Sequence, residues 1–79
     1  MRIHFFGKLA DSFGPAIEFP VSNECSITEL REKLAEEYPD AAIALGIRVR
    51  ACVGESFVPD SHIIQPGDLV EFIPPVSGG

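Results

Sequence analysis

At 79 residues, 46% hydrophobic and 23% charged, the chain has the size and balance of one small globular domain. That length excludes an eight-stranded α/β barrel, a doubly wound nucleotide-binding fold and a two-domain machine, and leaves little room for an enclosed substrate pocket. Twelve acidic residues against six basic ones give a formal charge of −6, which excludes a phosphate-backbone binder and so nucleic acid as a partner.

The N-terminal segment 2–7 alternates as a strand, with Ile3 and Phe5 on one face and His4 and Phe6 on the other. Asp11, Ser12, Gly14 and Pro15 predict that 8–15 is a turn. Alternation returns over 16–21, with Ile17, Phe19 and Val21 on one side, so the two strands form a hairpin with a long connection. The spacing of Ile27, Leu30, Leu34 and Tyr38 predicts a helix over 27–38, stopped by Pro39. Ser26 and Glu29 have the spacing of a capping box, Cys25 and Leu30 that of a hydrophobic staple, and Glu29 with Lys33 that of a favourable ion pair.

The alanine-rich stretch 40–46 allows a short second helical turn. Segment 48–53 alternates again, with Val49, Ala51 and Val53 inward and Arg48, Arg50 and Cys52 outward. Gly54-Glu55 is a turn, and Phe57-Val58 is a short edge strand ended by Pro59. Gln65-Pro66-Gly67-Asp68 has the residues of a type II turn. Leu69–Ile73 is the last strand, with Val70 and Phe72 on one face and Leu69, Glu71 and Ile73 on the other. One helix laid across a mixed four- to five-stranded sheet accommodates all these stripes, an α+β roll of ubiquitin-like (β-grasp) type.

The interior offers no catalytic constellation. His4 and His62 lack metal-ligand spacing, and there is no phosphate-binding loop or nucleophile elbow, so no metal or permanently bound cofactor is expected. Two cysteines without C-x-x-C spacing are too few for a disulfide framework or an iron–sulfur cluster. With no leader pattern and no membrane-spanning run, a cytoplasmic protein is expected.

The unusual feature is the ending Pro74-Pro75-Val76-Ser77-Gly78-Gly79. Two prolines end the ladder and hold the residues after them extended, so the domain is expected to span 1–75 and a flexible tail 76–79. From Pro74 onward the six residues reach at most about 20 Å. Gly78 and Gly79 carry no side chain, so they fit a narrow channel and present the Gly79 carboxylate to another protein's active site. A carboxylate becomes an acyl donor once ATP adenylates it.

The stretch Pro66-Gly67-Asp68-Leu69-Val70-Glu71-Phe72-Ile73-Pro74-Pro75-Val76-Ser77-Gly78-Gly79 resembles the G-D-x-V-x-F-x-P-P-V-[ST]-G-G ending of the small subunits of molybdopterin synthase, which are ubiquitin-like sulfur carriers. Phe5-Phe6, Leu30-Arg31 and Asp60-x-His62 are similar to the same family's pattern, while the segment before Arg48 is shorter than in some members. The resemblance implies that an ATP-dependent adenylating enzyme activates Gly79 and that a sulfur donor protein converts it to a thiocarboxylate. The large synthase subunit then receives Pro74, Pro75, Val76, Ser77 and Gly78 in its channel, and sulfur passes to cyclic pyranopterin monophosphate in a heterotetramer. Phe57 and Ile73, large apolar residues at outward positions near the tail, are the expected partner interface. No stand-alone activity is expected. The alternatives are a sulfur carrier for the thiazole of thiamine, a ubiquitin-like protein modifier, and a passive interaction domain.

Overall fold

The computed structural model describes residues 1–46 and 48–75. Strand β1 (Arg2–Phe5) leads into helix α1 (Lys8–Phe13), then β2 (Ala16–Glu18) and a two-residue strand β3 (Cys25–Ser26). Helix α2 (Ile27–Glu37) and a 3-10 turn (Ala42–Ala44) follow, then β4 (Arg50–Val53), β5 (Ser56–Val58), β6 (Ile63–Ile64) and β7 (Leu69–Ile73). Five strands form one mixed sheet in the order β2-β1-β7-β4-β5, and β3 pairs with β6 in a separate ribbon. The terminal strands β1 and β7 run parallel at the centre, with Ile3 opposite Val70 and Phe5 opposite Phe72. The antiparallel β1–β2 and β4–β5 pairs flank them. This is the β-grasp roll.

The helix forms where the apolar period and the cap coincide. The Ser26 hydroxyl accepts the Glu29 N–H, and the Glu29 carboxylate accepts the Ser26 N–H, completing the capping box. The two remaining free donors of the first turn are met by the loop before β6: Ile27 N–H donates to the His62 carbonyl and Thr28 N–H to the Asp60 carbonyl. Ile27, Leu30 and Leu34 are fully buried against Ile3, Val70 and Phe72 in one core. Cys25 and Leu30, the staple positions, are both buried in it as well. Desolvation raises the Cys25 thiol above its ordinary pKa, which keeps it protonated.

Four expectations are corrected. Segment 8–15 begins with α1 rather than a simple turn, because Leu9 and Phe13, one helical turn apart, bury the helix's inner face. Phe13 stacks on Phe5 with ring centroids 4.3 Å apart. Glu29 makes no ion pair with Lys33 within 4.0 Å, because its carboxylate turns back to cap the helix. The Gln65–Asp68 turn is not type II. Gly67 lies outside the left-handed region, and the turn closes through the Asp68 N–H to the Gln65 carbonyl and the Gln65 N–H to the Asp68 carboxylate. Cys52 points outward as expected but is buried, because Phe57 and Glu71 stand directly across from it on the neighbouring strands. The expected tail, 76–79, lies outside the described residues. Among the described residues no helix is long and apolar enough to cross a membrane.

Candidate functional site: the outer sheet face and the root of the C-terminal segment

Helix α2 covers one face of the sheet and leaves the other open. Alternation along each strand assigns the open face: Arg2 and His4 from β1, Leu69, Glu71 and Ile73 from β7, Arg50 and Cys52 from β4, and Phe57 from β5. Register sets their neighbours. Phe57, Cys52, Glu71 and His4 form one row across the sheet, and Arg50 stands opposite Ile73 in the next.

The hairpin that presents Phe57 is a two-residue turn with Gly54 at φ 58° and Glu55 at φ 68°. Two left-handed residues in succession match the right-handed twist of β4 and β5, so the register of Val53 with Ser56 is fixed and Phe57 is aimed outward. Phe57 remains 51% exposed on the edge strand. Arg50 lies over it, the guanidinium carbon 4.0 Å from the ring centroid. Ile73 is half-buried. Both expected interface residues therefore lie on one face. Leu69, 41% exposed and next but one to Glu71 along β7, extends the apolar surface. Its outward parity was visible in the sequence, but nothing there marked it as a partner contact.

β7 leads directly into Pro74 and Pro75. Phe6 N–H donates to the Phe72 carbonyl at 3.2 Å, close to where the prolines end the ladder. Gly7 packs here with φ 58°, and a Cβ at this position would lie 2.9 Å from the Pro74 ring. The glycine thus lets α1 start directly beneath the root of the C-terminal segment. Leu9, Ala44, Val49, Pro74 and Pro75 wall an apolar cavity of about 510 Å³ beside that root. Val76, Ser77, Gly78 and Gly79, the expected tail residues, lie outside the described residues.

Arg31 is the residue whose role sequence reasoning missed. It projects from α2 with its side chain 16% exposed, donating from Nε to Asp60 Oδ1 and from its two Nη atoms to the carbonyls of Leu45 and Val49. It also lies 5.4 Å from the centroid of the Phe72 ring. It ties together the loops on either side of β4 and β5, and with Arg50 and Phe57 it lines a groove of about 470 Å³ along the sheet edge. The only signal in the sequence was its place in the Leu30-Arg31 match.

The ThiS family model matches residues 3–79. Among solved structures, SAMP1 from Haloferax volcanii is 17% identical and superposes with a TM-score of 0.79, covering 99% of this chain and 97% of its own. A Pyrococcus furiosus protein assigned as subunit 1 of molybdopterin converting factor is 18% identical, with a TM-score of 0.79 and 95% of each chain covered. The Haloferax volcanii HVO 2177 protein is 22% identical, with a TM-score of 0.79, covering 99% of this chain and 84% of its own. At these identities the likeness shows the fold.

Proposed function

Because the chain belongs to the ThiS family and has the ubiquitin-like sulfur-carrier fold, we propose that it is the sulfur-carrying small subunit of a molybdopterin-forming synthase, with Gly79 as the residue that bears the sulfur. The observation that carries this reading is the run from β7 through Pro74-Pro75-Val76-Ser77-Gly78-Gly79, rooted beside an open face bearing Phe57, Leu69 and Ile73.

The chemistry has three steps. A Gly79 carboxylate oxygen attacks the α-phosphorus of ATP held by an adenylating partner, and pyrophosphate leaves. A hydrosulfide equivalent from a sulfur donor protein adds to the acyl carbon and displaces AMP, giving the thiocarboxylate. In the synthase the thiocarboxylate sulfur attacks a carbon of the pterin precursor and displaces the oxygen leaving group bonded there, and water then cleaves the resulting acyl–sulfur bond, returning the carboxylate and leaving sulfur on the product. On this reading the carrier supplies no acid or base: His4 is beside Glu71 on the sheet and His62 is in the loop before β6. What it contributes is reach and the absence of side chains at Gly78 and Gly79. ATP belongs to the partner, and the carrier holds no cofactor of its own. The Pro74-Pro75-Val76 context favours this pathway over a thiazole carrier. Likeness to a small archaeal modifier protein raises a second reading, in which a lysine amine rather than sulfur takes the acyl group.

Intact-mass measurement of the protein from cells containing its partners tests the proposal. One oxygen replaced by sulfur, localised to Gly79, is the expected result. An unmodified carboxylate under conditions of active cofactor synthesis would refute it, and a Gly79–lysine isopeptide would favour the second reading.

A further inference from the structure

Three nitrogen-bearing side chains stand on the open sheet face, and two of them are answered from within the fold. Arg2 Nη2 lies 2.9 Å from Glu18 Oε1, and His4 Nδ1 lies 3.9 Å from Glu71 Oε2. Arg50 is different. It is exposed, and among the described residues no carboxylate oxygen comes within 4.0 Å of its guanidinium. This occurs in a chain where acids outnumber bases by twelve to six. Its contact is the Phe57 ring, at 4.0 Å. Packing over a ring face holds the guanidinium in place without neutralising its charge. Across the β4–β7 pair its neighbour is Ile73. A fixed, unneutralised donor fork therefore sits between the two apolar residues of the candidate interface.

We propose that Arg50 is the specificity-determining contact of this face, pairing with a carboxylate of a partner protein whose adjacent apolar side chain covers Phe57 and Ile73. The inference rests on the carrier reading and deepens it by stating what the partner's surface must present. A partner that covered Phe57 and Ile73 without an acid would bury the Arg50 charge unpaired, which is costly and excludes it. A broadly acidic partner would be repelled by a chain of charge −6. The fitting surface is one acid beside an apolar anchor in neutral or basic surroundings.

The test uses the full chain with the adenylating enzyme and the large synthase subunit of the same organism. Affinity and association rate are measured for Arg50→Lys, Arg50→Leu and Arg50→Glu at about 50 and about 500 mM salt, with thermal melts of each free variant. Arg50→Leu is expected to weaken binding about tenfold or more at low salt and to reduce the advantage of low over high salt. Arg50→Glu should bind more weakly still, and Arg50→Lys within about threefold of wild type, because it keeps the charge and loses the planar fork. Melting temperatures should stay close to wild type, which separates recognition from a packing role. Arg50→Leu binding as tightly as wild type overturns the proposal, since Phe57 and Ile73 would then suffice. Intact mass keeps the two readings apart. A wild-type chain that acquires sulfur while Arg50→Leu binds normally sinks this inference alone, whereas a wild-type chain that neither enzyme binds or activates sinks both.

Discussion

Replacing Arg31 with Met is expected to destabilise the domain by about 2–4 kcal/mol. A charge-assisted hydrogen bond in good geometry nets about 1.5–3 kcal/mol. Of the three made by Arg31, the one to the Val49 carbonyl is the closest. Those to Asp60 Oδ1 and the Leu45 carbonyl, at 3.3 and 3.4 Å, lie near the outer limit. Asp60 is 54% exposed, so its ion pair contributes less than about 1 kcal/mol. The approach to the Phe72 ring at 5.4 Å adds about 0.5–1 kcal/mol. Met preserves the aliphatic stem against the core, so the loss isolates the polar contacts. For a domain of this size each kcal/mol moves the melting temperature by about 4–8 °C, which places Arg31→Met about 8–32 °C below wild type. Urea denaturation should show the same loss with an unchanged slope. Asp60→Asn is the control, expected to lose less than about 1 kcal/mol. If Arg31→Met lost no more than Asp60→Asn, the carbonyl bonds to loop 45–49 would carry nothing and the reasoning would fail.

Phe72→Ala, at a fully buried position, should cost about 3–5 kcal/mol, whereas Phe57→Ala should cost less than about 1.5 kcal/mol and instead weaken partner binding. The opposite pattern in melts and calorimetric titrations would mean that the two sheet faces are misassigned. The Ser26 N–H and hydroxyl hold the Glu29 carboxyl below its ordinary value of 4.5, so its contribution is present above that pH and is lost as pH falls through the lower folded value. Glu29→Gln keeps the acceptor but does not titrate, so its stability difference from wild type should shrink on acidification below about pH 4.5, read by urea unfolding across pH. Deleting Gly79 should abolish acquisition of sulfur while leaving the thermal melt of the domain at its wild-type position. Sulfur transfer by the truncated chain would contradict the assignment of Gly79.

The parts of the fold legible in the sequence are those where two local signals agree. Helix α2 had an apolar period and a complete capping box, and β4 had clean alternation up to the Gly54-Glu55 turn. β7 had strict alternation bounded by a turn and two prolines. Helix α1 has only six residues and a single buried i,i+4 pair, Leu9 and Phe13, set among Asp11, Ser12 and Gly14, which favour turns. The β3–β6 ribbon is two residues per strand, too short for any period, and Cys25 meets Ile64 only through tertiary folding. At the candidate site, the outward position of Ile73 followed from parity, and that of Phe57 was expected from its place on an edge strand after a turn. The stack of Arg50 on Phe57 required knowing that β4 and β5 pair with Cys52 opposite Phe57. Arg31 was illegible for the same reason: its carbonyl partners lie 14 and 18 residues away.

β7 joins the open face to the root of the C-terminal segment. It is hydrogen-bonded on both sides, to β1 in parallel and to β4 antiparallel, so its end cannot shift without disrupting the centre of the sheet. Ile73 is its last residue, and Pro74 comes immediately after, packed against Gly7. A partner that seats on Phe57 and Ile73 thereby fixes the root of the segment to within one residue. Six residues from Pro74 to Gly79 reach at most about 20 Å, so on the carrier reading the partner's reacting centre would lie within that distance of its contact with Ile73. The adenylating enzyme and the synthase would use the same carboxylate and the same root. Each would therefore have to place its anchor, its acid for Arg50 and its active site in the same spatial relation, and they would compete for the carrier rather than bind it together.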